Sequence, residues 1–270
     1  MPALAAYLSG QSLTGSTTWR ISTLYDGHGR GDNDSFPGGS GRVLSAASTW
    51  DIRSEFGGAL RGGTATISYR YNSQPERSFT FQIRGANPVE ADAKSRLGGS
   101  PWFLTRIARQ ESGIRQFNGG DPLFGAPNGW GIMQVDPPPG PQEIWNWAAN
   151  VDAGKGVINQ KNSELTTTWN NRLNDWATWN QQHPPNQQVG PPAPRQEGGC
   201  NLQWVGGGSG SEGSPSFRDA CWIKRYNGAD NSDFLIWENR PPYQNDPRWV
   251  FIPTRSDGLA YVAGVCSQNP

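Results

Sequence analysis

The 270-residue sequence has no run of about 18 apolar residues, so no segment is expected to cross a membrane as a helix. Histidine is scarce: His28 and His183 lie far apart, each beside turn residues, which argues against a Ser–His–Asp relay or a histidine-built zinc site. The three cysteines, Cys200, Cys221 and Cys266, show no Cys-x-x-Cys spacing, so a thiolate metal centre is not expected either. One disulfide and one free thiol is the simplest arithmetic, and the spacing leaves the pairing open. Excess charge is also missing. Lys+Arg and Asp+Glu number 23 each, which argues against a nucleic-acid partner held by a globally basic face. The opening MPALAAYLSG has no basic n-region and no proper apolar h-region, so no signal peptide is expected.

What the chain has in excess is glycine (35) and proline (22), together about a fifth of the residues against a usual share of about 12%. Long loops and modest regular structure are expected. Thirteen tryptophans argue against disorder, and the length suits one or two domains with a real core.

The first part, 1–87, reads as a small antiparallel β module, for which an immunoglobulin-like arrangement is one candidate. Thr64, Thr66, Ser68 and Arg70 alternate with Ala65, Ile67, Tyr69 and Tyr71. After the polar stretch 72–77, Phe79, Phe81 and Ile83 alternate with Ser78, Thr80, Gln82 and Arg84. This period of two on both sides of a short loop predicts a half-buried hairpin. Thr17 to Tyr25 and Arg42 to Arg53 are further strand candidates. Gly85-Ala86-Asn87-Pro88 is turn chemistry, and the remainder, 88–270, reads as mainly helical, so the fold class is α+β. Phe103, Leu104, Ile107 and Ala108 form one helical stripe; Val151, Gly154 and Ile158 a second; Leu165, Trp169, Leu173 and Trp176 a third. The stretch 181–214 is rich in Pro, Gly and Gln, without periodicity, and is expected to be a long loop or insertion. Ser214-Pro215 is read as the N-cap and first position of a helix through Phe217 and Cys221. The tail from Trp237 is expected to wrap the surface.

The chemistry concentrates around Glu111. It stands seven residues after Leu104 and four after Ile107, hence on the apolar face of its helix. A carboxyl there is poorly solvated, which raises its pKa and suits it to proton donation. The alternative is a helix-end acid in a structural salt bridge. Gly129-Trp130-Gly131-Ile132-Met133-Gln134-Val135-Asp136 begins 18 residues later, Asn150-Val151-Asp152-Ala153-Gly154 follows, and Arg225-Tyr226-Asn227-Gly228 comes last.

This ordered set resembles the soluble lytic transglycosylases and goose-type lysozymes of glycoside hydrolase family 23, whose pattern is Glu-Ser, Gly-Leu-Met-Gln and Ala-Tyr-Asn. Ile132 stands for Leu and Arg225 for Ala. The resemblance covers roughly 95–230, with an unusually long insertion at about 160–215, and leaves the β module outside. It implies a lysozyme-like helical lobe that cleaves the β-1,4 bond between N-acetylmuramic acid and N-acetylglucosamine in peptidoglycan, without a cofactor or metal. Carried over by position, it makes Glu111 the general acid and then base. Ser112, Gly131, Ile132, Met133, Gln134, Asn150, Tyr226 and Asn227 fall in or beside the sugar subsites, with Tyr226 hydrogen-bonded to Glu111. Trp130, Trp145 and Trp147 are candidates to stack on sugar rings, whereas Trp169 and Trp176 read as core.

Inverting hydrolysis needs a second carboxylate roughly 6.5–9.5 Å away to activate water, whereas a transglycosylase works with one acid and closes a 1,6-anhydro ring. Asp136 and Asp121 are the candidates for that second role, which leans the expectation to muramidase hydrolysis. Turn formation is the alternative for Asp121 in Gly-Gly-Asp-Pro, and loop shaping for Asp136 before three prolines. Residues 26–34, rich in Gly and Asp, lack the spacing of an EF-hand and read as a solvated turn rather than a calcium loop. A non-catalytic glycan binder is a competing reading, as is a docking role for the β module on a cell wall. The resemblance implies peptidoglycan strands as partner, an extracellular or periplasmic site of action and, for an antibacterial effector, a cognate inhibitor. The missing signal fits a fragment of a larger secreted protein, a phage protein or an effector exported without a cleaved signal.

Overall fold

The computed structural model describes residues 5–7, 16–37, 42–43, 49–51, 55–197, 199–228, 233–251 and 256–269. The chain is α+β, an antiparallel sheet near the N-terminus followed by helices and small hairpins. It divides into two compact units: residues 1–93 with 115–150, and residues 94–114 with 151–270.

In the first unit, β1 (Ala5–Tyr7) pairs with β5 (Thr49–Asp51). The main sheet runs in the order β3 (Asp32–Pro37), β2 (Ser16–Tyr25), β6 (Gly63–Tyr71), β7 (Arg77–Ile83), with β4 (Arg42–Val43) also on β2. The expected hairpin is β6–β7, and its register sets Ile67 opposite Phe79 and Ala65 opposite Phe81. Of the candidate stretch Arg42 to Arg53, residues 44–48 and 52–53 lie outside the described residues. Alternation puts Ile21, Ala65, Ile67 and Ile83 on one face, where they pack with Phe56. The other face carries hydroxyl pairs across β6–β7: Ser68 with Ser78 at 3.1 Å and Thr66 with Thr80 at 3.3 Å. Two further hairpins, β8 (Phe117–Asn118) with β9 (Asp121–Pro122) and β10 (Phe124–Gly125) with β11 (Gly129–Trp130), lead to α3 (Pro141–Trp145). Tyr25, Phe117, Trp130, Ile144 and Trp145 make a second aromatic core there. The Gly- and Asp-rich turn is held by guanidinium groups, Arg30 on Asp32 and Arg61 on Asp34.

The division between the units falls within α1 (Glu90–Leu97) and α4 (Trp147–Gln182). The second unit also holds α2 (Leu104–Ser112), α5 (Phe217–Tyr226) and α6 (Ser256–Ser267), with hairpins β12 (Arg195–Glu197)–β13 (Cys200–Leu202) and β14 (Leu235–Glu238)–β15 (Arg248–Phe251).

Four sequence expectations need correction. The second and third stripes belong to one 36-residue helix, α4, about 54 Å long. The insertion is not featureless: it carries β12–β13 and is tied to α4 by Trp176 Nε1, which donates to the Val189 carbonyl at 2.7 Å. The cap of α5 is Ser216, two residues beyond the expected site. Its hydroxyl accepts from Asp219 N while the Asp219 carboxylate accepts from Ser216 N. The tail does not merely wrap the surface, because β14–β15 is followed by α6, where Tyr261, Val262 and Val265 are buried. Among the described residues no helix is long and apolar enough to cross a membrane.

Candidate functional site

Glu111 occupies the last turn of α2, on the stripe whose buried members are Leu104, Ile107 and Ala108. The helix ends immediately after it: Gly113 takes the left-handed conformation (φ 63°) and donates to the Arg109 carbonyl at 2.9 Å. The buried Ser112 hydroxyl donates back to the Ala108 carbonyl at 3.0 Å. Glu111 is thus half-buried at a fixed helix end. Burial raises its pKa above the ordinary carboxyl value, opposed by a hydrogen bond that Tyr261 Oη donates to Oε1. Among the described residues Glu111 has no ion-pair partner, so the bland alternative, a salt bridge, is not what surrounds it. The groups that act on this carboxyl are phenols.

Tyr261 comes from α6, 150 residues away in sequence. Burial and the neighbouring Glu111 charge hold its own pKa well above 10.0, so it stays protonated and remains a donor. Tyr226, at the end of α5, is raised for the same two reasons, burial first and then Glu111. Tyr226 is therefore close enough to Glu111 to feel its charge. The hydroxyl bonded to the carboxyl, however, is that of Tyr261, a residue the sequence reading did not single out. Asn227 caps α5 and is exposed, followed by Gly228 at φ 68°.

The Gly131–Gln134 motif belongs to the first unit, where two fully buried amides shape it. Gln116 Oε1 accepts from Ile132 N at 3.1 Å, and its Nε2 donates to the Ile144 carbonyl at 2.8 Å. Asn150 Oδ1 accepts from Met133 N at 2.9 Å, and its Nδ2 donates to the Trp130 carbonyl at 2.8 Å. Neutral amides satisfy buried backbone groups without placing a charge in the core. Position 131 must be glycine. Its φ is +71°, and a Cβ would lie 2.5 Å from Gln116 Oε1 and 2.6 Å from Asn150 Nδ2.

Ile132 and Met133 are buried, so the side chain of the motif that reaches partial exposure is Gln134. It sits at φ 46°, donates to the Gly131 carbonyl at 2.8 Å, and lies against Gly125 and Gly129, where a Cβ would collide with its Oε1. Asn150 is placed as a builder of this turn rather than a side chain open to ligand. Trp130 is corrected likewise: only 2% exposed, it packs edge-on against Tyr25 and against Phe124, with no free face for a sugar. Trp145 is also buried. Gln116 was missed, and nothing in its local sequence distinguishes it from a surface glutamine.

Asp121 is exposed in β9 and paired with Arg84. Its charge adds to burial in pushing the Tyr25 phenol up to about 12. Asp136 is exposed at the start of the proline run. Among the described residues no group of three or more His, Cys, Asp or Glu is placed to hold a metal ion. One disulfide joins Cys200 to Cys266, and Cys221 is a buried free thiol. A structural disulfide is consistent with an extracytoplasmic compartment.

In this arrangement burial favours the protonated form of the Glu111 carboxyl and the Tyr261 hydroxyl orients it, which suits the group to proton donation. No family model, no curated protein and no solved structure matches the chain.

Proposed function

We propose that the chain cleaves the β-1,4 bond between N-acetylmuramic acid and N-acetylglucosamine in peptidoglycan, with Glu111 as general acid and then base. The observation that carries this reading is the raised, half-buried Glu111 carboxyl held by the Tyr261 hydroxyl at the end of α2. A glycan binder has no need of a carboxyl whose protonated form is favoured by burial, whereas protonation of a leaving glycosidic oxygen calls for such a group. The resemblance to glycoside hydrolase family 23 supports the substrate class and assigns Gln134 to the sugar. A neutral amide suits a neutral N-acetyl sugar, since no charge has to be desolvated. Hydrolysis is the leading outcome, with Asp136, exposed and not paired with a guanidinium among the described residues, ahead of the Arg84-paired Asp121 for the water-activating role. A second reading, lytic transglycosylation, draws support from the phenolic surroundings of Glu111, because that reaction needs one acid only. The partner is the glycan strand, and the disulfide suits action outside the cytoplasm.

Digestion of purified sacculi followed by mass spectrometry of the released muropeptides tests this directly. Reducing muramic ends are expected. Ends lighter by one water, as 1,6-anhydro rings, establish transglycosylation instead, and no release at all overturns the catalytic reading in favour of glycan binding.

The Tyr261→Phe variant gives a second expectation, with a defined sign. The hydroxyl stabilises the ionised carboxyl, so its removal raises the Glu111 pKa further. A general acid works protonated, hence the alkaline limb of the pH–rate profile moves to higher pH while the plateau rate falls, by about 10-fold for an untethered acid. A limb that stays in place or moves down shows that Glu111 is not the titrating acid.

A further inference from the structure

Tyr261 reaches Glu111 only because α6 is seated on α2, and the seat is clamped at one end. Cys266, near the C-terminal end of α6, is bonded to Cys200 at the start of β13, across 66 residues. Around this link the contacts are polar and close. Arg106 of α2 donates to the Cys266 carbonyl and pairs with Glu212 at 2.8 Å. Gln268 Nε2 donates to Gln110 Oε1 at 2.9 Å, one residue before Glu111. Gly264 lets α6 approach that same amide, since a Cβ there would lie 2.8 Å from Gln110 Oε1.

The helix itself contributes little to its own persistence. It has 12 residues, below the length at which an isolated helix is stable, and contains Gly258 and Gly264 along with two β-branched valines. Its described buried residues are Tyr261, Val262 and Val265. A segment of this kind holds its register through the cross-link. The third cysteine does not compete for the pair. Cys221 is buried, and burial together with the Asp233 charge pushes its thiol up to about 12, which leaves it protonated and unreactive.

We propose that Cys200 and Cys266 are positioning residues for the acid: their disulfide holds α6 in the register that keeps the Tyr261 hydroxyl on Glu111, so that the oxidised chain carries an oriented acid and the dithiol chain does not. The inference rests on the reading of Glu111 as the acid. The switching step is reduction by a small dithiol. One thiolate of the reductant attacks a sulfur of the pair and breaks the S–S bond to give a mixed disulfide. Its second thiol displaces the protein sulfur, so the reductant leaves as a cyclic disulfide and Cys200 and Cys266 each gain a proton. Cys266 is half-buried while Cys200 is fully buried, so attack enters at Cys266. In a reducing cytoplasm the enzyme is therefore idle, and outside it is switched on by exchange with a disulfide oxidant, which takes up the two electrons and two protons of Cys200 and Cys266 and leaves as its dithiol.

The test is a cycle on the full chain: oxidised and dithiothreitol-reduced protein, each with Tyr261 or Tyr261→Phe, and Cys200→Ser/Cys266→Ser as the reductant-free counterpart. Release from sacculi is expected to fall about 10-fold or more on reduction when Tyr261 is present, and to change less than twofold in Tyr261→Phe. A cross-link that only stabilises the fold gives the same factor in both backgrounds, and that result overturns the proposal. So does loss of the far-UV circular dichroism of the reduced chain, which marks a general staple. The Glu111 carboxyl is followed in parallel by carbon-13 titration, a readout independent of turnover. The reduced chain is expected to titrate where oxidised Tyr261→Phe does, above the oxidised parent, and coincident titrations of oxidised and reduced parent overturn the inference. If oxidised protein releases nothing from sacculi, the peptidoglycan reading fails, while the titration still decides whether the disulfide positions the carboxyl.

Discussion

Glu111→Gln should lower muropeptide release by about 10³-fold or more, near the upper part of the range that a positioned acid supplies. The substitution keeps shape and the acceptor oxygen, so the Tyr261 hydroxyl still has a partner, but an amide has no proton to give. The stability consequence runs the other way. Burial raises the Glu111 pKa in the folded chain above its unfolded value. Such a carboxyl contributes stability that is fully present below the unfolded pKa and is lost as pH rises through the folded one. Glutamine has no such loss. Thermal melts across pH should therefore show the variant gaining on the parent as pH rises past the Glu111 titration. An inactive variant that gains stability with pH is a removed acid. A variant within 10-fold of parental activity places the acid elsewhere.

The second large effect is on stability. Asp233→Ala should destabilise the second unit by about 3–5 kcal/mol, because it strands two guanidinium groups around a fully buried carboxylate. Arg172 of α4 lies 2.6 Å from Oδ2, and Arg225 of α5 approaches both oxygens, at 2.7 and 3.2 Å. The side chains of Arg172 and Arg225 are only 17% and 13% exposed, so water has restricted access to compensate. At roughly 2–4 °C per kcal/mol for a chain of this size, melting should fall by roughly 6–20 °C. Differential scanning calorimetry reads it, and a shift below about 3 °C shows the pair of arginines to be hydrated without Asp233. Activity should fall too, since Tyr226 follows Arg225 directly at the end of α5.

What the sequence made legible divides along physical lines. Period-two alternation disclosed β6–β7 because one face of the sheet is buried and the other carries hydroxyls. The Leu104, Ile107 and Ala108 stripe located α2 and put Glu111 on its inner face. The continuity of α4 was also legible in principle: Val151, Ile158 and Leu165 recur every seven residues, yet the polar residues between them read as a break. The α5 cap lies two residues beyond Ser214 because Ser216 and Asp219 stand at the three-residue spacing that closes a reciprocal capping box, whereas Ser214-Pro215 offers only a residue suited to the first turn. Tyr261 was hidden for a stronger reason. Its segment is glycine-containing and apolar, with weak helix propensity, and becomes helical through packing and a cross-link whose pairing has no sequence signature. Gln116 was equally hidden, since a buried amide serving two backbone segments looks in sequence like any polar residue in a loop.

The 150-residue separation between Glu111 and the hydroxyl that holds it also sets an order of events during synthesis. At about 5–20 residues per second, Glu111 is added roughly 8–30 s before residue 261. Throughout that interval the nascent chain has its carboxylate but not the tyrosine that steadies it. On the reading of Glu111 as the acid, a chain not yet extended to residue 261 therefore carries an unsteadied carboxyl, and its expected activity is lower by about the 10-fold assigned to loss of that hydroxyl.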